Sequence, residues 1–382
     1  MGLKKGGDYV SKIHGGNIYE IAQKHKLNIK EILDFSASIS PLGVPEAVMQ
    51  AIKDSLGMIT HYPDPDCKEF CQIAAADAGV RSENILAGNG AAELIYLIVR
   101  MKNPHYSLIA IPTFSEYGYA VSSVGGKLKY VKLQSQGSRF TISVDAYCRL
   151  IPGTDLVFIC NPNNPTGTLL ERDELLEIIQ FAKANNCLIV VDEAYLDFVK
   201  GGSNYSIVDK IFDYDNLLIL KSLTKVYSLP GLRIGYAIGN RDLINKMSIQ
   251  RAPWSVNALA QMAGAAALQE KDYRTRLQQF IWEEREYLFQ ELKKIPGLKP
   301  YYPTANFILV DISETGITAG HLQEVLACSG LLIRDCTSFQ GMGPYFIRIA
   351  VRTRPENRRL IQTLNSLIYK QIGRGKHCFQ KK

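Results

Sequence analysis

Residues 155–195 read DLVFICNPNNPTGTLLERDELLEIIQFAKANNCLIVVDEAY, and this stretch decides the fold class. Both of its ends contain runs of apolar residues, DLVFIC at 155–160 and CLIVVD at 187–192, which have the length of buried strands. The segment between them carries leucine and isoleucine at helical spacing. A buried strand, an amphipathic helix and a second buried strand predict two parallel neighbours in one sheet that is covered on both faces.

The same alternation continues on both sides of this stretch. The runs SLIAI at 107–111 and NLLILK at 216–221 have the same apolar character, so we predict an α/β fold with a mostly parallel sheet. After Pro296 the pattern changes to that of a smaller α+β unit. The predicted units are a Gly- and Pro-rich N-terminal arm that packs on the small domain or on a partner subunit (1–45), a large domain (46–275) and a small C-terminal domain (276–382).

The composition is that of a globular protein. Of the 382 residues, 46% are hydrophobic and 21% are charged, and 44 lysines and arginines against 37 aspartates and glutamates give a net charge of +7. Four of these positive charges lie in the last nine residues, so the rest of the chain does not predict nucleic-acid binding. The eight cysteines form no C-x-x-C pair, and no apolar run has the ~18 residues of a membrane span. We therefore expect a cytoplasmic protein without a metal.

The stretch SLTKVYSLPGLRIGY at 222–236 places Lys225 in a small polar turn directly after an apolar strand. A lysine at a strand end can bond covalently to a cofactor aldehyde when burial makes its neutral amine accessible. Ser222 precedes this lysine by three residues and Arg233 follows it by eight. Taken alone, the stretch is more simply explained by a surface lysine in a loop.

Asp192 and Tyr195 lie at the end of the strand at 187–192, in the sequence DEAY. In open α/β sheets, ligands bind at the edge formed by the carboxyl ends of the strands. A carboxylate there can pair with a protonated pyridine nitrogen, and a tyrosine can donate to a hydroxyl of the same ring. Asn164, in the rigid turn NPNNPTG at 161–167, is available to the same ring hydroxyl. A helix cap or an ordinary turn would explain each of these residues singly.

The sequence GNGAAEL at 88–94 opens a helix after an apolar run. Its glycines and the helix N-terminus can bind a phosphate. Glu93 occupies the third glycine position of a dinucleotide-binding pattern, so a nicotinamide dehydrogenase is not predicted. Phe114, in IPTFSEY at 111–117, can stack on an aromatic ring, although core packing would explain it equally well.

In chain order, GNGAAEL, PTFSEY, NPNNPTG, DEAY, SLTK with LPGLRIGY, and FIRIAVR resemble the motifs of fold-type-I pyridoxal phosphate enzymes of the aspartate aminotransferase class. The resemblance covers nearly the whole chain and implies an aspartate-aminotransferase-like fold with pyridoxal 5′-phosphate as cofactor. It implies that Lys225 carries the cofactor, that Asp192 pairs with its pyridine nitrogen, and that Tyr195 acts beside them. The other cofactor-binding residues implied are Asn164 and Tyr195 at the ring hydroxyl, Phe114 on the ring, and Gly90, Ala91, Ser222 and Arg233 at the phosphate.

The resemblance also implies a partner and a substrate contact. Tyr62, in HYPDPD at 61–66, matches the tyrosine that reaches the cofactor phosphate of a neighbouring subunit, so a homodimer with shared sites is implied. Arg348, in FIRIAVR at 346–352, matches the arginine that binds the substrate α-carboxylate through two hydrogen bonds.

Within this class the chain resembles two sister groups, threonine-phosphate decarboxylases and histidinol-phosphate aminotransferases. HGGN at 14–17, DFSASISPLG at 34–43 and the Arg352 that ends FIRIAVR resemble the decarboxylases more. His14 and Gly15 would then meet the substrate phosphate, Arg334 would be a second phosphate ligand, and Asn164 would also contact the substrate.

The decarboxylase resemblance has one departure, because Ser38 and Ser40 replace two asparagines of that group. L-serine phosphate is therefore a competitor of L-threonine-O-3-phosphate as the substrate. The function implied is decarboxylation of one of these two to the amino alcohol phosphate for cobamide biosynthesis. Transamination of histidinol phosphate is the alternative.

Overall fold

The alternating pattern of the sequence forms two main sheets of different size. The computed structural model describes residues 15–378, and the side chains up to residue 369. The strands of these residues are β1 Leu33–Asp34, β2 Ile85–Gly88, β3 Tyr106–Ile111, β4 Lys127–Lys132, β5 Gln134–Gln136, β6 Arg139–Thr141, β7 Leu156–Cys160, β8 Leu188–Asp192, β9 Leu217–Ser222, β10 Gly235–Gly239, β11 Lys299–Pro300, β12 Phe307–Asp311, β13 Leu331–Leu332, β14 Arg334–Asp335 and β15 Phe346–Ala350.

Helices connect and cover these strands. They are α1 Ile18–His25, α2 Glu46–Asp54, α3 Lys68–Ala78, α4 Gly90–Lys102, α5 Glu116–Ser123, α6 Val144–Leu150, α7 Arg172–Ala184, α8 Leu223–Val226, α9 Arg241–Gln250, α10 Ala258–Gln269, α11 Lys271–Lys293, α12 Ala319–Ala327 and α13 Arg354–Cys378. None of the described helices is both long and apolar enough to cross a membrane.

Seven strands form the larger sheet, in the order β2-β10-β9-β8-β7-β3-β4. All neighbours are parallel except β10, which runs antiparallel to β2 and β9. The predicted α/β fold with a mostly parallel sheet is therefore confirmed. Because β7, β8 and β9 are parallel neighbours, the polar residues that follow them meet at one edge of the sheet.

Both faces of the larger sheet are buried, as the sequence predicts. Along β7, Val157 and Ile159 belong to one apolar core, whereas Leu156 and Phe158 belong to the core on the opposite face. This division follows from the two-residue period of side chains along a strand. All four side chains are almost completely buried, which explains why the sequence of this strand is apolar on both faces.

Three strands of the larger sheet lie outside the apolar runs that we used to predict it. β2 and β10 contain glycines, and β4 alternates lysine with apolar residues because it forms an edge of the sheet. Whether such segments form strands depends more on tertiary contacts than on the local sequence pattern.

The smaller main sheet is antiparallel, with the order β11-β12-β15-β14. The boundary predicted between residues 275 and 276 falls inside α11, and the division into domains stays a prediction.

The N-terminal segment lies against the C-terminal part of the chain. β1 pairs in parallel with β13, and the carbonyl oxygen of Phe35 accepts a hydrogen bond of 2.8 Å from Ala350 N. Five residues further on, Ser40 N donates to the carbonyl oxygen of Lys225 at 2.8 Å. Residues 35–40 therefore connect the smaller sheet to the end of β9.

Candidate active site

A cavity of about 900 Å³ lies where the carboxyl edge of the larger sheet meets the N-terminal segment and the smaller sheet. The predicted site residues that line it are Gly15, Ala91, Phe114, Asn164, Asp192, Tyr195, Ser222, Lys225, Arg233, Arg334 and Arg348. Gly90 lies beside the cavity, against Arg233. His14, predicted to meet the substrate phosphate, lies outside the described residues. The structure thus brings these residues to one place, and their individual roles stay predictions.

Lys225 lies in the short helix α8, which begins directly after β9. Its Nζ is 4.8 Å from the centre of the Tyr195 ring and donates to Ser222 Oγ at 3.5 Å. Burial, with the nearby charges of Arg233 and Arg348, lowers the pKa of Lys225, and the Asp192 carboxylate opposes this effect. The lowered pKa increases the share of neutral amine, which is the form that attacks an aldehyde.

Asp192, the last residue of β8, is a buried carboxylate held by two hydrogen bonds. Tyr117 donates to Oδ2 at 2.7 Å, and the backbone N–H of Ala194 donates to Oδ1 at 2.9 Å. The Tyr117 ring is completely buried and stacks on Phe158 at 4.8 Å, with Phe114 at its edge. Burial and the Asp192 charge raise the pKa of Tyr117 well above its usual value, so this residue stays a donor.

Sequence reasoning missed Tyr117. The residue lies in the motif IPTFSEY, from which only Phe114 was chosen. The bond joins residues 75 positions apart and depends on the packing of α5 against the sheet. The available signal was a tyrosine three residues after Phe114 in that motif.

A phosphate-sized group of donors surrounds the start of α4. The N-cap residue Asn89 makes no side-chain cap, so the first backbone N–H groups of this 13-residue helix remain available. A Cβ on Gly90 would lie 2.5 Å from Arg233 Nη2, so the close approach of this guanidinium requires glycine there. Within residues 15–369, no side chain or backbone oxygen accepts a hydrogen bond from Arg233. Thr224, which the sequence did not single out, adds a buried hydroxyl 2.8 Å from that of Ser222.

Arg348 lines the cavity from β15 of the smaller sheet and is almost completely buried. Its Nη1 donates to Asn164 Oδ1 and its Nη2 to the carbonyl oxygen of Ser36 at 2.7 Å, whereas its Nε has no hydrogen-bond partner among the described residues. The guanidinium lies 5.1 Å from the centre of the Phe307 ring. No described carboxylate forms an ion pair with it, so its charge is compensated only by dipoles and the ring face.

Arg334 is paired directly with Arg348 across the antiparallel strands β14 and β15. It is as deeply buried, and its Nη2 donates to Ser338 Oγ at 2.7 Å. Burial and the neighbouring Arg348 lower the pKa of Arg334. Like charges directly opposite each other destabilise a sheet, and an anion bound between them would reverse that effect.

Gly15 and Gly16 bring the N-terminal arm to the Arg348 end of the cavity. Gly16 N donates to Ser36 Oγ at 2.7 Å, and a Cβ on Gly15 would lie only 2.2 Å from the carbonyl oxygen of Ser36. The same carbonyl accepts from Arg348, so the arm, Ser36 and this arginine form one connected group.

Arg352, which distinguishes the decarboxylase-like motif, does not line the cavity. It donates to the carbonyl oxygen of Asp34 at 3.1 Å and pairs with Glu356 at 2.8 Å. Asp34 in turn accepts hydrogen bonds from the backbone and hydroxyl of Ser36. Arg352 therefore supports the segment that carries Ser36.

Tyr62 lies outside the cavity of its own chain. Its side chain is 80% exposed and stacks on the exposed Trp254, with ring centres 4.5 Å apart. This placement is compatible with a contact to a second subunit, and that contact stays a prediction.

The donors and charges of this cavity fit pyridoxal 5′-phosphate. The start of α4, Arg233 and the hydroxyls near Ser222 suit its phosphate, and the buried Asp192 suits a protonated pyridine nitrogen. Lys225 lines the same cavity, and its Nζ donates to Ser222 Oγ beside the phosphate donors, where it would meet the aldehyde of the bound cofactor.

Comparisons with known proteins also indicate an enzyme that uses pyridoxal 5′-phosphate. The model of the family "aminotransferase class I and II" matches residues 30–364. The chain is 36% identical to the threonine-phosphate decarboxylase of Salmonella typhimurium, over 93% of this chain and 96% of that protein. It is 32% identical to the histidinol-phosphate aminotransferase of Methanothermobacter thermautotrophicus, over 93% and 94% of the two chains.

A solved structure shows the same fold. The histidinol-phosphate aminotransferase of Sinorhizobium meliloti in complex with pyridoxal 5′-phosphate matches with a TM-score of 0.84 at 22% identity, over 97% of this chain and 99% of that chain. Its fold agrees with the aspartate-aminotransferase-like fold that the motifs imply. The protein thus belongs to the class I and II aminotransferase family, and it is an enzyme whose cofactor is pyridoxal 5′-phosphate.

Proposed function

We propose that this enzyme removes the α-carboxylate of L-threonine-O-3-phosphate or L-serine phosphate and forms the amino alcohol phosphate for cobamide biosynthesis. The observation that carries the proposal is the pair of buried arginines, Arg334 and Arg348, opposite each other in one cavity. These substrates bear two anionic groups, a carboxylate and a phosphate, and so offer one to each guanidinium. The similarity to the Salmonella typhimurium decarboxylase supports the same substrate class.

Arg348 and Asn164 bind the carboxylate in this proposal. A carboxylate accepts stronger hydrogen bonds from a guanidinium than the neutral oxygens of Asn164 and Ser36 do, so it can replace one of them. Arg334 then faces the phosphate, with the Gly15 backbone at the same end of the cavity. By fixing both anionic groups, the two arginines determine which bond at Cα is aligned for cleavage.

At the other end of the cavity, Asp192 and Lys225 complete the chemistry. The bound cofactor supplies the electron sink for the pair of electrons that departing carbon dioxide leaves behind. Asp192, held by Tyr117, keeps a proton on the pyridine nitrogen. Lys225 Nζ returns a proton to Cα after the carboxylate has left.

Transamination of histidinol phosphate is the second candidate, and the similarity to the enzyme of Methanothermobacter thermautotrophicus favours it. In that reaction Lys225 would remove the proton from Cα, and the same arginines would bind the substrate phosphate or the carboxylate of the keto acid. The two reactions differ in which bond at Cα is broken.

We also propose that the enzyme acts as a cytoplasmic homodimer with shared sites. Tyr62 and Trp254 form an exposed aromatic pair, and Leu56 and Ile59 just before them are exposed as well. An exposed apolar group of this kind is typical of a protein–protein interface. Sedimentation velocity at micromolar concentration should give a dimer, and a monomer would contradict this proposal.

The deciding experiment incubates the cofactor-loaded enzyme with L-threonine-O-3-phosphate, with L-serine phosphate, and with histidinol phosphate plus 2-oxoglutarate. Carbon dioxide release without a keto acid is expected from at least one of the first two. Glutamate formed from the third mixture, with no carbon dioxide from the others, would establish the aminotransferase instead.

A further inference from the structure

We propose that a second cavity, on the opposite face of the larger sheet from the candidate active site, binds a small zwitterion such as a free amino acid through Asp197, Lys221 and Tyr227. The second cavity has a volume of about 570 Å³, which is within the usual range for a small-molecule site. Of the residues that line it, only Ser222 also lines the candidate active site. The inference is independent of the proposed reaction and goes beyond it.

The position of the second cavity follows from the two-residue period of β9. Ile219 belongs to the core on one face of the larger sheet, and Leu220 belongs to the core on the other face. The alternation continues along the strand, so Lys221 points to the face of Ile219 and Ser222 to the face of Leu220. Glu193, at the end of β8, reaches the same face as Lys221 and pairs with it at 2.6 Å. The second cavity therefore lies behind the strand end that leads into the candidate active site.

The first observation is an unsatisfied hydroxyl in the wall of the second cavity. Tyr227 is 1% exposed, and its hydroxyl has no hydrogen-bond partner among the described residues. Burial raises the pKa of Tyr227 above its usual range, Arg274 opposes this effect and Asp197 adds to it, so the phenol lies near two other residues of the same wall. The hydroxyl stays protonated, and an acceptor on a ligand would satisfy it.

The second observation is a carboxylate without a counter-ion. Asp197 lies in the turn after β8 and lines the second cavity, and its carboxylate forms no ion pair or hydrogen bond within residues 15–369. Burial lowers the pKa of Lys221, but Glu193 and Asp197 together raise it by more, so the Asp197 carboxylate lies near Lys221 as well as Tyr227. The ammonium group of a ligand would give Asp197 the partner that the protein does not supply.

The third observation is a lysine with donors to spare. Lys221 has three N–H groups, and in the described part of the chain only the Glu193 carboxylate pairs with them. The remaining N–H groups and the Tyr227 hydroxyl together suit a carboxylate of the ligand. The second cavity therefore offers donors for an anionic group and, at Asp197, an acceptor for a cationic one.

The other charges of the wall balance one another. Arg274 pairs with Asp77, and Arg172 pairs with Asp209. If Glu193 is counted with the wall, its carboxylates are Asp77, Glu193, Asp197 and Asp209, and its cations are Arg172, Lys221, Lys271 and Arg274. A ligand with a net charge would disturb this balance, whereas a zwitterion preserves it.

The test uses N,N-dimethylglycine as the zwitterion, because its tertiary nitrogen cannot bond to the cofactor aldehyde. Isovalerate has the same shape without the positive charge, and 2-(dimethylamino)ethanol lacks the carboxylate. Affinities for the cofactor-loaded enzyme would be measured by saturation-transfer NMR on the methyl signals. We expect the zwitterion to bind at least about tenfold more tightly than either analogue. No binding up to about 50 mM, or equal affinity for all three probes, would overturn the inference.

Variants show which cavity holds the probe. Asp197→Asn and Tyr227→Phe keep the shape of the side chain, and we expect them to weaken N,N-dimethylglycine binding about tenfold and about threefold. Arg348→Lys, in the candidate active site, should leave this affinity unchanged, and so should Asp242→Asn, at an exposed aspartate on α9.

The opposite pattern would overturn the inference. Binding that is lost in Arg348→Lys but kept in Asp197→Asn and Tyr227→Phe would mean that the probe occupies the candidate active site. Melting temperatures measured on the same samples show that each variant is folded. Because Asp197→Asn and Tyr227→Phe act on different side chains, either one can decide the outcome if the other fails to fold.

Discussion

The two ends of the cavity differ in how their polar groups are satisfied. At the cofactor end, Asp192 already holds two hydrogen bonds from the protein, and Tyr117 is packed between aromatic rings. At the substrate end, Arg334 and Arg348 lie directly opposite each other. No described carboxylate pairs with Arg348, and its Nε has no hydrogen-bond partner among the described residues. The first end is organised before a ligand arrives, whereas the second is left with charge and donors that an anionic ligand would satisfy.

The ends also differ in how the chain builds them. The cofactor end comes from the start of α4, which follows β2, and from the turns that follow the neighbouring parallel strands β7, β8 and β9. The substrate end joins the N-terminal segment to the smaller sheet, as in the bond between Ser36 and Arg348, which are 312 residues apart. Substitutions at the first end should therefore affect the cofactor and the chemistry, and those at the second should affect substrate binding.

Replacing Lys225 with alanine should have the largest effect. We expect decarboxylation to fall by at least about a thousandfold, because the group that moves the proton at Cα is lost. The cofactor should still bind, since Asp192, Arg233 and the start of α4 remain. Carbon dioxide release and cofactor content after dialysis would be measured together.

Lys246→Ala, at an exposed lysine on α9, is the control for loss of a lysine and should behave as wild type. Decarboxylation that survives in Lys225→Ala would contradict the assignment of this lysine. Loss of all cofactor would contradict the expectation that Asp192, Arg233 and the start of α4 bind the cofactor without Lys225.

Replacing Arg348 or Arg334 with lysine should have the next largest effect. Lysine keeps the charge but loses the fork of donors, so kcat/KM should fall about a hundredfold with unchanged cofactor affinity. For Arg334→Lys, KM should rise far more for phosphorylated substrates than for L-threonine. An equal rise in KM for phosphorylated substrates and for L-threonine would mean that the substrate phosphate binds elsewhere.

Arg285 provides the control for a buried arginine outside the cavity. It is 9% exposed and donates to main-chain carbonyl oxygens, including that of Ala305 at 3.1 Å. Arg285→Lys should lower the melting temperature and leave KM unchanged. A rise in KM equal to that of Arg348→Lys would mean that these effects report general destabilisation.

The sequence predicts the cofactor end better than the substrate end. Asp192 ends one apolar run, and Asn164 and Lys225 each lie four residues after another. Because ligands bind at the carboxyl edge of such a sheet, this local pattern predicts that the three residues lie together. The direct opposition of Arg334 and Arg348 depends on strand register, and the bond from Tyr117 depends on helix packing. Such long-range contacts leave no periodic signal in the sequence.

Replacing Tyr117 with phenylalanine tests whether the cofactor end is organised in advance. The ring packing remains, but the buried Asp192 carboxylate loses one donor, so cofactor affinity should fall about tenfold. Fluorescence titration of the apoenzyme with pyridoxal 5′-phosphate would measure it. Tyr147→Phe is the matched control, because Tyr147 is equally buried and its hydroxyl has no described partner. If both variants bound the cofactor equally, Tyr117 would have no positioning role.

Replacing Gly15 with alanine should have the smallest effect, and only at the substrate end. The new Cβ would lie 2.2 Å from the Ser36 carbonyl oxygen, so either the arm moves away or Ser36 shifts on Arg348. In both cases KM for the phosphorylated substrate should rise several-fold, with kcat and cofactor affinity unchanged. Gly343→Ala is the control, since its Cβ would meet nothing within 4 Å. A lowered cofactor affinity in Gly15→Ala would show that the two ends are coupled, because the same segment also reaches Lys225 through Ser40.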